Sequence, residues 1–199
     1  MIFMEKKKPY ITIGLIITNI IVFILLELRG NSLEAEYMME MGAVYPDKIQ
    51  NNGEYWRLIT STFMHFGFRH LLNNMVLLGT AGQILERALG PVKYFILYIL
   101  SGVGGSTLSY IQMIYSGDYA VAAGASGAIF GIVGALLWVV ICNKGHYETL
   151  TGKGLVVMIL LCLYYGISTG GVDNWGHIGG LFGGFFVGIL FYKRKKEIC

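Results

Sequence analysis

Six apolar runs make up most of this chain and restrict it to a membrane fold. They cover residues 10–28, 70–85, 92–114, 126–142, 155–169 and 175–192. Because a helix needs about 20 apolar residues to cross a bilayer, each run is long enough, or nearly long enough, for one crossing. Only 14% of the residues are charged, against roughly 25% in soluble domains. The sequence therefore predicts an all-α fold, a polytopic membrane bundle of six transmembrane helices.

The connections between the runs define the expected organisation of the chain. One polar stretch, about 29–69, is long, and the other connections are short and rich in turn-forming residues such as Gly, Asn and Asp. Short connections force neighbouring helices to run antiparallel. We expect a membrane domain over 10–192, preceded by a cytoplasmic segment, 1–9, and followed by a basic cytoplasmic tail, 193–199.

Lys and Arg are distributed unevenly between the two sides that six crossings define. With the amino terminus inside, the inner segments carry eleven of the 15 Lys and Arg residues, and the outer segments carry four, Arg29, Lys48, Arg57 and Arg69. Positive charge is retained on the cytoplasmic side of a membrane. We therefore expect both termini in the cytoplasm and the 29–69 loop outside the cell membrane. A signal peptide is the alternative for the basic start, but the first run is longer than is usual and ends without a small-residue cleavage pattern.

Two polar residues lie in apolar runs where hydrocarbon side chains are expected. Ser126 belongs to Gly124-Ala125-Ser126-Gly127 at the start of the fourth run, and His177 lies near the start of the sixth. A titratable residue inside a bilayer is costly and is by default a functional candidate. Ser126 alone could equally cap its helix. Together, at a similar predicted depth near the outer surface, the two residues indicate a serine nucleophile and its general base.

Small residues on both helices would allow these two side chains to meet. His177, Gly180 and Gly184 share one face of the predicted sixth helix, and Gly127 and Gly131 share one face of the fourth. Membrane helices carry glycine at their interfaces in any case. A packing surface needs no imidazole, however, whereas a serine nucleophile does need a base.

The second run offers donors for the charge that develops on a scissile carbonyl oxygen. His70 and Asn74 are four residues apart and therefore lie on one helix face. The side-chain amide of Asn is a good oxyanion donor. The backbone N–H of Ser126, at the positive end of a helix dipole, is a third candidate.

Two other classes of protein compete with a serine hydrolase. A metalloprotease would use the histidines as zinc ligands, but His65 and His70 are turned by roughly 140° from each other on a helix, and no His-Glu-x-x-His motif is present. A transporter or channel would place ionisable groups along a path through the bilayer, whereas these cluster toward one side. We expect neither a metal nor any other cofactor.

Five motifs follow one another over residues 54–188: Trp56-Arg57, His65 with His70-Leu71-Leu72-Asn73-Asn74, Glu86-Arg87, Gly124-Ala125-Ser126-Gly127, and Gly176-His177-Ile178-Gly179-Gly180-Leu181-Phe182-Gly183-Gly184. In this order they resemble the rhomboid intramembrane serine proteases in their small six-helix bacterial form. The resemblance implies that Ser126 attacks the substrate and His177 takes its proton. It also implies that the Ser126 backbone N–H, His70 and Asn74 bind the oxyanion.

The resemblance implies supporting roles for several other residues. Trp56 and Arg57 would belong to a structural part of the first external loop at the membrane surface, and Glu86 would stabilise the inner end of the bundle. His65 matches a supportive position. Phe130 stands where the family commonly has Tyr, so it would keep the stacking on the base and lose the hydroxyl.

A third catalytic member is not implied, although Asp173 precedes His177 by four residues and could orient its ring. The simpler interpretation of Asp173 is a carboxylate at a helix start.

The activity implied by the resemblance is hydrolysis of single-span membrane proteins near the outer boundary of the membrane, at small or helix-destabilising residues. The fifth span and the external segment before it are expected to form the lateral entry. The expected partners are therefore membrane protein substrates and lipids, and nothing in the sequence supports nucleic-acid binding. A catalytically silent rhomboid-like protein that binds membrane helices stays open as an alternative, although such proteins usually lack the Ser or the His.

Overall fold

The structure, a computed structural model, describes residues 8–194, and helices make up most of them. The flanking residues of the predicted cytoplasmic segments, among them Lys6, Lys7, Lys195 and Lys196, lie outside the described residues. The helices are α1 (Tyr10–Arg29), α2 (Ala35–Met41), α3 (Pro46–Asn52), α4 (Arg57–Thr60), α5 (Gly67–Leu77), α6 (Gln83–Leu89), α7 (Pro91–Ser116), α8 (Ser126–Cys142), α9 (Gly152–Thr169) and α10 (Asn174–Phe191). Two short strands, β1 (His146–Tyr147) and β2 (Leu150–Thr151), form an antiparallel hairpin between α8 and α9.

The ends of the long helices follow signals in the sequence. Pro91 occupies the first turn of α7, where its missing N–H costs nothing. Gly90 before it has a positive φ of 82° and ends α6. Thr151 caps α9 by accepting a hydrogen bond from the N–H of Gly154 at 3.1 Å. The end of α6 and both ends of α7 and α9 therefore lie within four residues of the ends of the apolar runs.

Three of the described helices are long and apolar enough to cross a membrane: α1, α7 and α10. The helices α8 and α9 are apolar but shorter. The second predicted run corresponds to α5 and α6 together. The count of six crossings therefore stays a prediction.

A π-helical turn, Leu78–Gly82, joins α5 to α6 and makes them one continuous helix. Within it, the hydroxyl of Thr80 donates to the carbonyls of Val76 and Leu77 at 2.9 and 3.1 Å. Bonds of this kind satisfy carbonyls that a widened turn leaves without their usual N–H partner. The turn separates the half of the helix that carries His70 from the half that forms the far end of the bundle.

The polar stretch predicted as a loop contains three short helices, α2 to α4, and a buried cation organises them. Arg57 is buried, with only 2% of the residue exposed. It donates to the Glu54 carboxylate at 2.7 Å and to the carbonyls of Met39 and Ala43 at 2.5 and 2.9 Å. Hydrogen bonds that involve a charged group are roughly twice as strong as neutral ones. Arg57 therefore holds the helical part of this stretch together.

The bundle has two distinct ends. We call the end that carries residues 30–66 the loop end, and the opposite end, which carries β1 and β2, the hairpin end. At the hairpin end the guanidinium of Arg87 donates to Glu148 at 3.1 and 2.9 Å. Because α8 begins at Ser126 at the loop end and traverses the bundle, the segment that precedes α9 lies at the hairpin end. The prediction that this segment forms an entry element on the side of Ser126 is therefore wrong.

The helices α8 and α10 pack backbone against backbone at the centre of the bundle. A Cβ atom built on Gly180 would overlap the carbonyl of Gly127, and one built on Gly184 would overlap the carbonyl of Gly131. Side chains on α8 are buried along most of its length. Only glycine permits two helices to approach this closely, so this contact fixes how α8 and α10 are placed relative to each other.

Gly184→Ala should destabilise the protein, whereas Gly183→Ala should not. A Cβ on Gly184 would overlap the Gly131 backbone, but one on Gly183 would lie 3.8 Å from its nearest neighbour, the Ser101 Cα. Overpacking costs about 1–3 kcal/mol, so Gly184→Ala should lower the midpoint of thermal unfolding in detergent by several degrees. Gly183→Ala should hold or raise it, because alanine favours helix. Equal midpoints for the two variants would contradict the backbone contact.

Candidate active site

Ser126 is the first residue of α8, and a constrained turn precedes it. The N–H of Gly124 donates to the carbonyl of Ser61 at 2.9 Å, and the N–H of Ala125 donates to Nε2 of His65 at 3.3 Å. Gly124 has a φ of 148°, which side-chain-bearing residues rarely adopt. The backbone geometry that presents Ser126 is thus set by glycine and by two bonds to the segment before α5.

His177 lies in the first turns of α10 and is 8% exposed. Its ring stacks on that of Phe130 from α8, with centroids 4.2 Å apart and planes 8° from parallel. Within residues 8–194, the Nδ1 atom of His177 has no hydrogen-bond partner. Asp173 does not contact the ring by a hydrogen bond; it caps α10 by accepting from the N–H of Gly176 at 2.8 Å. The orientation of the imidazole therefore depends on the stacking with Phe130.

Ser126 and His177 are brought to the same level by the contact between their helices. A Cβ on Gly127 would lie 3.4 Å from the carbonyl oxygen of Gly176, so the residues next to Ser126 and His177 are direct neighbours. In the described part of the chain, no hydrogen bond joins the Ser126 hydroxyl to the His177 ring. Catalytic hydrogen bonds are often long before substrate binds and then shorten.

His70 lies beside the turn that carries Ser126. A Cβ on Gly124 would be 2.9 Å from Cε1 and 3.0 Å from Nε2 of His70. The Nδ1 atom of His70 accepts the N–H of Phe66 at 3.4 Å. His65, predicted within the second span, instead precedes α5, and its ring meets that of His70 edge to face at 5.1 Å. Asn74 is 4% exposed and donates to the carbonyl of His70 at 2.9 Å.

Three predicted supporting residues lie away from this turn. Trp56 and Arg57 are in the organised part of the 29–69 stretch, where the guanidinium lies 4.8 Å above the Trp56 ring. Glu86 is near the hairpin end and caps α1: its carboxylate accepts the N–H of Ile11 at 3.0 Å and the N–H of Thr12 at 2.8 Å. These three residues therefore stabilise the fold at two places away from Ser126.

A small polar cleft opens at Ser126 from the loop end. Its volume is about 30 Å³, and its wall includes Ser61, Ser106, Ser126, Gly127 and Asp173. A volume of about 10–15 Å³ suffices for one water molecule. Ser61 and Ser106, whose hydroxyls are 3.2 Å apart, were not predicted as site residues, because a lone serine has no spacing that marks it and often bonds nearby backbone.

A larger, apolar cavity lies on the other side of Phe130. Its volume is about 140 Å³, and it is bounded by the π-helical turn, α8 and α9. Leu77, Phe130, Ile159 and Cys162 lie in its wall. Phe130 thus separates this cavity from the His177 ring. We refer to it below as the apolar cavity.

Across residues 8–194, no group of three His, Cys, Asp or Glu side chains is arranged to hold a metal ion.

The chain matches a known protein family. The model of the Rhomboid domain matches residues 52–194, which is most of the sequence. The chain belongs to the rhomboid family.

Several curated proteins are similar over most of this chain. It is 38% identical over 182 residues to "Rhomboid protease GluP" of Bacillus subtilis (strain 168), a match that covers 92% of this chain and 35% of that protein. It is 38% identical over 156 residues to "RHOMBOID-like protein 7" of Arabidopsis thaliana, which covers 76% of this chain and 47% of that protein. "Putative rhomboid protease YdcA" of Bacillus subtilis (strain 168) is 33% identical over 146 residues, 73% of this chain and 72% of that protein. The chain spans about a third to a half of the length of the first two.

Asp173→Asn should leave the stability unchanged, whereas Asp173→Ala should lower it. Asn accepts the Gly176 N–H as well as Asp does, and loss of an N-cap costs about 0.5–2 kcal/mol. The midpoint of thermal unfolding in detergent measures the stability of both variants. If Asp173→Asn were as damaging as Asp173→Ala, the charge of Asp173 would matter, and its role could not be capping alone.

Proposed function

We propose that this protein is an intramembrane serine endopeptidase with a Ser126–His177 dyad. The observation that carries the proposal is the position of His177, stacked on Phe130 of the same helix that begins with Ser126. Family membership and the protease names of two relatives support the same activity. A lone buried imidazole at the start of an apolar helix has no packing role that would require it.

The first step is acyl transfer to the serine. His177 takes the hydroxyl proton as Ser126 Oγ bonds to the carbonyl carbon of the scissile peptide, and the imidazolium then gives that proton to the leaving amine. In the second step a water molecule, deprotonated by His177, attacks the ester and releases Ser126. The polar cleft at Ser126 supplies a route for that water from the loop end.

Three donors would stabilise the oxyanion. The Ser126 N–H points out of the positive end of α8. Because Nδ1 of His70 accepts the N–H of Phe66, the neutral ring carries its proton on Nε2, the ring nitrogen beside Gly124, and can donate it. Asn74 uses one amide hydrogen on the His70 carbonyl, which leaves the second for the oxyanion.

Phe130 would replace the third member of a triad. In a triad, a carboxylate holds the imidazole in position through Nδ1. Here the Nδ1 atom of His177 has no partner among the described residues, and a parallel ring covers one face of the imidazole. His65 would support the dyad through Ala125, and Gly180 and Gly184 would support it by permitting the close approach of α10 to α8.

The substrates would be single-span membrane proteins, cut near the outer boundary of the membrane. Residues 10–192 would form a six-span domain in the cell membrane with both termini in the cytoplasm, so that the loop end, and with it Ser126, faces outward. The segments 1–9 and 193–199 would be cytoplasmic. The substrate would enter laterally past α9, since that helix carries no catalytic candidate and bounds the apolar cavity. The reaction as written uses no metal or other cofactor.

The first experiment compares wild type with Ser126→Ala and His177→Ala. Purified protein in liposomes is given a single-span reporter with small residues near its outer boundary. We expect each variant to lose at least about a thousandfold in cleavage rate, because members of a catalytic unit act together. Thermal unfolding confirms that each variant is folded, and cleavage should survive a chelator. If Ser126→Ala still cuts, or the folded wild type is inert on varied reporters, the helix-binding alternative replaces the protease.

Phe130→Ala should slow cleavage while Phe130→Tyr should not. A stacked aromatic pair contributes about 0.5–1.5 kcal/mol, so loss of the ring should reduce kcat about two- to tenfold, and tyrosine, which keeps the ring, should stay within about twofold of wild type. The rate at which a fluorophosphonate labels Ser126 reports the same effect without a substrate helix. Equal rates for the alanine and tyrosine variants would contradict the orienting role of the ring.

A further inference from the structure

The two ends of the bundle carry opposite net charge. Within residues 8–194, the loop end has four Lys or Arg residues and eight carboxylates. The hairpin end has two carboxylates, Glu86 and Glu148, and seven cations: Lys8, Arg87, Lys93, Lys144, Lys153, Lys193 and Arg194. A surface with such an excess of one charge attracts ligands of the opposite charge. The hairpin end therefore favours an anionic partner.

Both carboxylates at the hairpin end are already engaged. Glu86 accepts two backbone N–H groups at the start of α1, and Glu148 pairs with Arg87 at 2.9 Å. In the part of the chain that the structure describes, neither Lys144 nor Lys153 forms an ion pair. These two lysines are therefore cations without a protein counterion among the described residues.

The hairpin sets these two lysines opposite each other. The strands β1 and β2 pair antiparallel, and beyond them the N–H of Gly152 donates to the carbonyl of Gly145 at 3.1 Å. The next position along this ladder places Lys144 opposite Lys153, and both residues are exposed. Like charges directly opposite each other on paired strands repel. An anion bound between the two lysines would replace this repulsion by attraction.

The helix α9 indicates what kind of anion fits. Lys153, in its first turn, shares one face with a row of exposed side chains, Val157, Leu160, Leu161 and Tyr164, each between 54% and 69% exposed. A soluble anion has no use for an apolar row, whereas a phospholipid carries acyl chains directly below its phosphate. A long lysine side chain near a helix end also reaches to the level of lipid headgroups. The cations and the row together match a phospholipid.

We propose that Lys144 and Lys153 bind the phosphate of an anionic phospholipid whose acyl chains lie along the exposed row on α9. The site uses neither Ser126 nor His177, so it is independent of the proposed protease activity. Because the lipid binds only the folded hairpin and helix, it also stabilises the protein.

The test removes both charges in the double variant Lys144→Asn/Lys153→Gln. Lys144 has a φ of 61°, a conformation that asparagine adopts more readily than most residues, and glutamine suits a helix as well as lysine does. The matched control, Arg29→Gln/Lys48→Gln, removes two cations from the loop end and changes the net charge equally. Lys48 pairs with Glu40 at 2.9 Å, and an exposed ion pair of this kind adds little to stability.

The measurement is native mass spectrometry of the full-length protein in detergent, titrated with phosphatidylglycerol or with phosphatidylcholine that has the same acyl chains. Two cations beside an anionic headgroup correspond to a preference of about ten- to thirtyfold. We expect this ratio of dissociation constants for the first bound lipid in wild type and in the control, and less than about threefold in the double variant. Phosphatidylglycerol should also raise the midpoint of thermal unfolding more in wild type than in the double variant.

Four outcomes would overturn the site. Wild type binds both lipids equally, or the double variant keeps the preference of wild type. The control loses the preference as far as the double variant does, which would make net charge alone responsible. Millimolar inorganic phosphate displaces phosphatidylglycerol, which would identify a site for free anions. If the double variant fails to fold, Lys153→Gln alone should lower the preference about three- to fivefold, and a preference at the wild-type value overturns the site.

Discussion

The backbone contact between α8 and α10 is the constraint on which the rest of the site depends. Each helix carries one member of the proposed dyad, and neither side chain is long. An imidazole and a hydroxyl can cooperate only if the two helix axes come closer than leucine-lined helices allow, and the facing glycines at 127, 131, 180 and 184 permit this. Lipid does not drive helices together by the hydrophobic effect, so close van der Waals contact must do it. The same glycines therefore assemble the bundle and align its chemistry.

Several polar side chains of this bundle are paired with neighbouring backbone, and others, within residues 8–194, keep a buried atom without a partner. Arg57, Thr80 and Glu86 each satisfy or receive backbone groups that would otherwise be unpaired in an apolar setting. His177 and Asn174, in contrast, each keep a buried atom with no partner among the described residues. Buried atoms of Asn19, Tyr94 and Tyr98 also have no partner among the described residues, so an unpartnered atom alone does not mark the site.

Much of the helical framework could be predicted from the sequence. The predictions were poorest where tertiary contacts decide the structure. The helix over 126–142 has the predicted bounds because its apolar run and its glycine-rich start coincide. The helices within 29–69 were not predicted, since their anchor, Arg57, bonds carbonyls that are distant in sequence. The π-helical turn was not predicted, because it has no distinct sequence pattern of its own. His65 was placed on the second helix, but that helix begins after it, at Gly67, whose φ is positive. The Asn174 bond to Leu163 and the contact of Ser61 with Ser106 were not predicted, because the position of a polar residue in the sequence does not reveal which neighbour it will meet.

The cap that Glu86 places on α1 bears on the order in which the protein is assembled. The first turn of α1 is completed by a side chain that lies 75 residues further along the chain. At a synthesis rate of about 5–20 residues per second, Glu86 emerges roughly 4–15 s after Ile11. During that interval the exposed N–H groups of α1 have only water or headgroups as partners. This helix must therefore wait near the surface, retained by its own apolar length, until α6 arrives and completes the docking of the two segments.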